Sequence, residues 1–129
     1  MLFRSSLLIR GSEKYIQSIL HNLLVNAIQF RSPHRSLTIK VSITQSGEQV
    51  ILMVEDNGKG IARQDWQKIF EPFKRLDYSS TGKGLGLYMV RTQAEAMGGE
   101  VSVFSMPDSG SVFTVKLPVA LESLMTVSI

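Results

Sequence analysis

The sequence predicts an α+β fold, a two-layer α/β sandwich in which helices and strands are segregated rather than alternating. Two observations carry that expectation. Apolar residues recur every three to four positions over one long early segment and again over a shorter later one. Between and after these segments, strand patterning comes in two pairs, each folded around a short turn.

The elements follow in order. Residues 7–9 form a short apolar run read as a strand, Gly11 and Ser12 break it, and Ser12 is placed to cap a helix over residues 13–30. Ile16, Ile19, Leu20, Leu23, Leu24 and Ala27 give that helix a broad apolar stripe, and Ser32-Pro33 stops it. Leu37, Ile39, Val41 and Ile43 alternate with polar residues, and after the Ser46-Gly47 turn residues 50–54 complete a hairpin. Residues 55–84 read as mostly irregular, with one short helix near 64–69; a connection of that length in a compact domain usually carries function. A second helix over 86–97 ends at Gly98-Gly99, and strands over 100–105 and 111–117 flank a turn at 107–110. A single domain, residues 1–129, is expected, with 119–129 read as a tail.

Composition narrows the functions open to it. With 129 residues, 43% of them apolar and 19% charged, the chain has the makings of one real core rather than of a disordered segment. The absence of cysteine excludes disulfides and thiolate metal sites, and two isolated histidines do not build a zinc site, so any metal must be oxygen-bound. Lys and Arg are spread along the chain despite a net charge of +3, which argues against a nucleic-acid partner. No apolar stretch is long enough to span a bilayer, so no membrane segment and a cytoplasmic location are expected.

Four short segments hold the chemistry. Asn22, Asn26 and Phe30 stand four apart, so one helix face presents two carboxamides and an aromatic ring, although a solvated face carries such a pair equally well. Asp56 closes an apolar strand and Asn57-Gly58-Lys59-Gly60-Ile61 follows, where glycines suit either plain turn chemistry or close approach to a ligand. Phe70-Glu71-Pro72-Phe73 sets two aromatics around a proline, as in a loop anchored to a core. Gly82-Lys83-Gly84-Leu85-Gly86-Leu87 is a glycine loop opening a helix, where backbone N–H groups can cradle a polyphosphate. No strand precedes it, against a dinucleotide fold, and no Gly-Lys-Ser/Thr ending makes it a P-loop. Together the segments read as a nucleotide site.

Box by box, in this order, they also resemble the N, G1, F and G2 boxes of the ATP-binding catalytic domain of sensor histidine kinases, within the GHKL superfamily shared with gyrase and MutL. The resemblance covers residues 7–118 and implies a mixed β-sheet with helices on one face. It implies ATP and Mg²⁺ as cofactors, with Asn22 and Asn26 as the catalytic positions, Asn26 giving an oxygen to Mg²⁺ and Phe30 lying against the adenine. Asp56 would accept a hydrogen bond from the adenine amine, which guanine lacks at that position, with Gly58, Gly60 and Ile61 beside it. Gln29, Arg75 and Thr81 would border the nucleotide, and Gly82, Lys83, Gly84, Leu85, Gly86 and Leu87 would wrap its phosphates. The reaction implied is transfer of the ATP γ-phosphoryl to a histidine on a dimerisation domain outside this chain, upstream of a response regulator in a two-component phosphorelay.

The pattern departs from the family at three places. Gln29 stands where Lys or Arg is usual, Lys83 where Thr is usual, and the lid from Lys74 to Thr81 is short by several residues. Lys83 is read as replacing the lost cation, and His21 and His34 are read as incidental, since neither sits in an acceptor motif. Three rivals remain: an ATP hydrolase, against which Asn22 speaks because an amide cannot take a proton from water; a non-catalytic nucleotide-binding module; and a serine kinase of the anti-sigma type.

Overall fold

Residues Glu13–Gln29 form helix α1, whose apolar stripe faces inward: Ile19 and Leu23 are fully buried and Ala27 nearly so. The computed structural model describes residues 13–73 and 84–118, so the strand expected at 7–9, the Ser12 cap and the tail at 119–129 lie outside the described residues. Strands β1 (Ile39–Ser46) and β2 (Gln49–Asp56) pair as the expected hairpin. β1 starts at Ile39 rather than Leu37 because the Asn57 carboxamide takes over the backbone before it. The Thr38 N–H donates to Asn57 Oδ1 at 2.9 Å, and Asn57 Nδ2 donates to the Ser36 carbonyl at 2.9 Å.

In place of the single helix expected near 64–69 stand two short 3₁₀ turns, Arg63–Asp65 and Lys68–Phe70, the second of which buries Ile69 and Phe70. Helix α2 (Gly86–Ala96) ends as expected, with the Gly98 and Gly99 amides donating to the Glu95 and Ala94 carbonyls. Strands β3 (Glu100–Met106) and β4 (Gly110–Pro118) are the last elements among the described residues.

The strands form one sheet in the order β1-β2-β4-β3, and all three of its ladders are antiparallel. Among the described residues this corrects the expected mixed sheet. β1–β2 and β3–β4 are hairpins closed by short turns, a connection open only to antiparallel neighbours. The remaining ladder, β2 on β4, aligns Asp56 with Ser111 and Gln49 with Pro118.

Alternation divides the sheet's faces. Val50, Leu52 and Val54 of β2 and Phe113, Val115 and Leu117 of β4 are buried in one cluster with Ile19 and Leu23 of α1 and Val90 and Ala94 of α2. The opposite face, with Ile51, Met53 and Thr114, is only half-buried. The helices therefore cover one face, as the two-layer sandwich requires. Val41 and Ile43 lie opposite Val54 and Leu52 on the helix side, yet stay exposed on β1, the edge strand among the described residues. This arrangement brings the end of β2, the end of α1 and the β3–β4 turn to one place.

Candidate nucleotide site

Asp56 is the last residue of β2, and only 7% of its surface reaches solvent. Its Oδ1 accepts the Gly58 N–H at 2.8 Å. Burial pushes the carboxyl's pKa up; the Gly58 and Ser111 backbone amides oppose that rise, and the nearby Glu55 charge adds to it. A carboxylate offers about four acceptor positions, so Asp56 retains capacity for a donor beyond these amides.

The loop after Asp56 is seated from two sides. On the helix side, the Lys59 N–H donates to the Phe30 carbonyl at 2.8 Å, and a Cβ at Gly58 would overlap that same carbonyl. On the turn side, Gly60 adopts φ 75°, and a Cβ there would overlap the Met106 carbonyl. Close backbone approach, rather than turn chemistry alone, is what these two glycines provide. Next to them, the Ile61 N–H donates to Ser105 Oγ at 2.7 Å, and Ser105 Oγ donates to the Gly110 carbonyl at 2.7 Å, beside the buried Ser111 hydroxyl.

On α1, Asn26 is buried and Asn22 half-buried, with Asn22 Nδ2 3.5 Å from Ser18 Oγ. A Cβ at Gly86 would stand 3.7 Å from Asn22 Oδ1, so the first carboxamide faces the start of α2. Gln29 and Phe30 are half-buried at the end of α1, as are Gly84, Leu85 and Gly86 ahead of and at the start of α2. Ile61 and Leu87 are buried in the core cluster. Arg75, Thr81, Gly82 and Lys83 lie outside the described residues, as does the lid between Lys74 and Thr81.

The two aromatics expected to anchor the third segment behave differently. Phe70 packs edge-on against Phe113 with ring centres 6.2 Å apart, whereas Phe73 is 72% exposed. The Phe73 backbone makes the attachment instead, its N–H donating to the Gly84 carbonyl at 2.8 Å. His21 and His34 are both exposed.

Sequence reasoning missed three contributors. Arg35 bonds the carbonyls of Asn57, Gly58 and Asp108; Asn57 clamps Ser36 and Thr38 ahead of β1; and Ser105 links the loop to β4. Nothing in the local pattern marked the arginine, an ordinary surface residue in a polar loop. A buried acceptor at the end of β2 is chemically suited to a base that brings a donor, and a carboxamide facing a helix start is suited to an anion.

Comparison with known proteins agrees. The profile of the family described as histidine kinase-, DNA gyrase B- and HSP90-like ATPase matches residues 11–121. The sensor-like histidine kinase SenX3 of Mycobacterium bovis is 37% identical over 123 residues, covering 92% of this chain and 30% of SenX3. The sensor protein TorS of Escherichia coli is 40% identical over 108 residues, covering 84% of this chain and 12% of TorS. The chain thus spans less than a third of the length of these relatives. Among solved structures, full-length ShkA in complex with AMPPNP superposes with a TM-score of 0.73 at 32% identity, over 82% of this chain and 22% of ShkA. The catalytic domain of the histidine kinase ThkA, free of nucleotide, gives a TM-score of 0.73 at 28% identity over 87% of this chain and 71% of that domain. The chain belongs to the histidine kinase-, DNA gyrase B- and HSP90-like ATPase family and is a sensor histidine kinase ATP-binding domain.

Proposed function

We propose that this domain binds ATP with Mg²⁺ and presents its γ-phosphoryl to a histidine on a dimerisation domain carried outside this chain, for onward passage to a response regulator. The observation that carries the reading is the buried Asp56 carboxylate at the end of β2, held by the Gly58 amide. A buried acceptor selects a base that brings an amine and rejects one that does not, because the wrong base leaves the carboxylate unsatisfied.

The remaining residues take roles by position. Phe30 walls the base from the end of α1, next to the loop that it bonds. Asn22 and Asn26 direct carboxamides toward the phosphates, and the start of α2 offers backbone N–H groups to them. Phosphoryl transfer asks a protein mainly for positioning and charge stabilisation, which fits a site of amides rather than nucleophiles.

Mg²⁺ fits what is present. Asn26 gives one hard amide oxygen, and the described residues contain no group of three His, Cys, Asp or Glu able to hold a metal. Asn26 would hold the ion through that oxygen, and Mg²⁺, which keeps several waters and favours phosphate oxygens, would supply charge neutralisation on the phosphates. Lys83, outside the described residues, is the candidate to replace the cation that Gln29 does not provide.

The test is transfer itself. With γ-labelled ATP, Mg²⁺ and a supplied dimerisation domain, label should reach the acceptor histidine and be lost when that histidine is replaced. Nucleotide binding without any transfer would instead favour a non-catalytic module.

A further inference from the structure

Arg35 touches the loop after Asp56 at two consecutive carbonyls. Its Nε donates to the Asn57 carbonyl and its Nη2 to the Gly58 carbonyl, each at 2.7 Å; Nη2 also donates to the Asp108 carbonyl at 2.8 Å. A trans peptide unit is rigid and points its C=O and N–H in opposite directions. The unit joining Asn57 to Gly58 therefore has Arg35 on its oxygen and the Asp56 carboxylate on its N–H. The next unit has Arg35 on the Gly58 oxygen and the Phe30 carbonyl on the Lys59 N–H. One planar guanidinium fork thus fixes the far ends of the two peptide units whose near ends hold Asp56 and the close of α1.

We propose that Arg35 is a positioning residue for base recognition, acting on Asp56 and Phe30 through these two peptide planes. The inference rests on the reading of Asp56 as the acceptor for the base. The guanidinium polarises both units toward their N–H ends, which strengthens the bonds that orient the carboxylate. Its ion pair with the Asp108 carboxylate is a side issue: that contact is 3.4 Å long, with the Asp108 side chain 81% exposed, and such pairs contribute little. Lysine is no substitute, because a single ammonium lacks the planar fork that reaches adjacent carbonyls together.

Amide hydrogen exchange and calorimetric titration of ATP and GTP, applied to the parent chain, Arg35→Ala, Arg35→Lys and Asp108→Ala, test this. In Arg35→Ala the Gly58 and Lys59 amides should exchange at least about tenfold faster while Val54 and Val115 in the sheet stay protected. ATP should weaken about tenfold, with the ATP-to-GTP affinity ratio falling, Arg35→Lys intermediate and Asp108→Ala like the parent. Should the alanine variant not fold, the lysine variant alone must still show the faster exchange and the lowered ratio. Unchanged exchange at Gly58 and Lys59 would overturn the brace whatever the nucleotide does, and faster exchange with an unchanged ratio would overturn its role in recognition. A parent chain that does not discriminate ATP from GTP would remove the reading of Asp56 itself, and the role of Arg35 with it.

Discussion

The Lys59 amide bonds the Phe30 carbonyl across 2.8 Å, joining the loop after β2 to the end of α1. Through this bond the residue proposed to wall the base and the residue proposed to recognise it share one backbone connection. Gly58 makes the contact sterically feasible, since any side chain there would strike the same carbonyl. Gly58→Ala should therefore separate the two elements, destabilise the fold by about 1–3 kcal/mol and weaken ATP. Chemical denaturation and calorimetry read the two effects; a variant as stable and as tight as the parent would show that the approach is not needed.

Much of this was legible in the sequence, for reasons that differ by element. The stripe through Ile19, Leu23 and Ala27 and the alternation of Val50, Leu52 and Val54 report burial directly, so α1, β2 and the two-layer arrangement follow from periodicity. The expected helix near 64–69 broke into two 3₁₀ turns, and the Trp66 Nε1–H between them bonds the Ile61 carbonyl, a tertiary contact that local pattern does not encode. Strand direction is likewise a pairing property, which is why the sheet's antiparallel ladders needed the register to be seen. At the site, Asp56, Gly58 and Asn26 stood out because their residue types are unusual where they sit. Arg35 did not, since its work depends on carbonyls more than twenty residues away.

Acid should weaken nucleotide binding at a higher pH than an ordinary aspartate would dictate. Burial raises the folded-state pKa of Asp56 above its usual 3.8, so protonation removes the acceptor before exposed carboxylates titrate. ATP affinity followed by calorimetry on acidification should fall in the parent, and Asp56→Asn should lack this component.

The same shift has a stability consequence. A carboxyl whose pKa is raised by folding stabilises the fold fully only below its unfolded value, and that contribution is lost as pH rises through the folded value. At neutral pH ionised Asp56 thus opposes folding, and Asp56→Asn should raise the melting temperature. The gain should shrink as pH falls toward 3.8, the unperturbed aspartate value. A neutral-pH melting temperature below that of the parent would contradict the burial argument.

Asn26→Ala should abolish Mg²⁺-dependent phosphoryl transfer while sparing the base. Adenosine, or ADP without Mg²⁺, should bind both forms similarly, because the carboxamide is proposed to act on metal and phosphates. Unimpaired transfer to a supplied acceptor domain would remove this role.

Gln29 and Lys83 pose a compensation that mutation can resolve. Lys83→Ala should weaken ATP about tenfold, the scale of one charge-assisted bond, and leave adenosine unaffected. Adding Gln29→Lys should restore the ATP-to-adenosine ratio. An unchanged ratio in Lys83→Ala, or no rescue in the double variant, would contradict the exchange of cations.

The most direct measurement is calorimetric titration of ATP and GTP, with Mg²⁺, into the parent chain and Asp56→Asn. The parent should prefer ATP strongly; the variant should lose about 1–3 kcal/mol of ATP affinity, roughly five- to 150-fold, and bind the two nucleotides more nearly alike. A variant that binds ATP as tightly as the parent, with the same preference over GTP, would contradict the assignment of Asp56 as the residue that recognises the base.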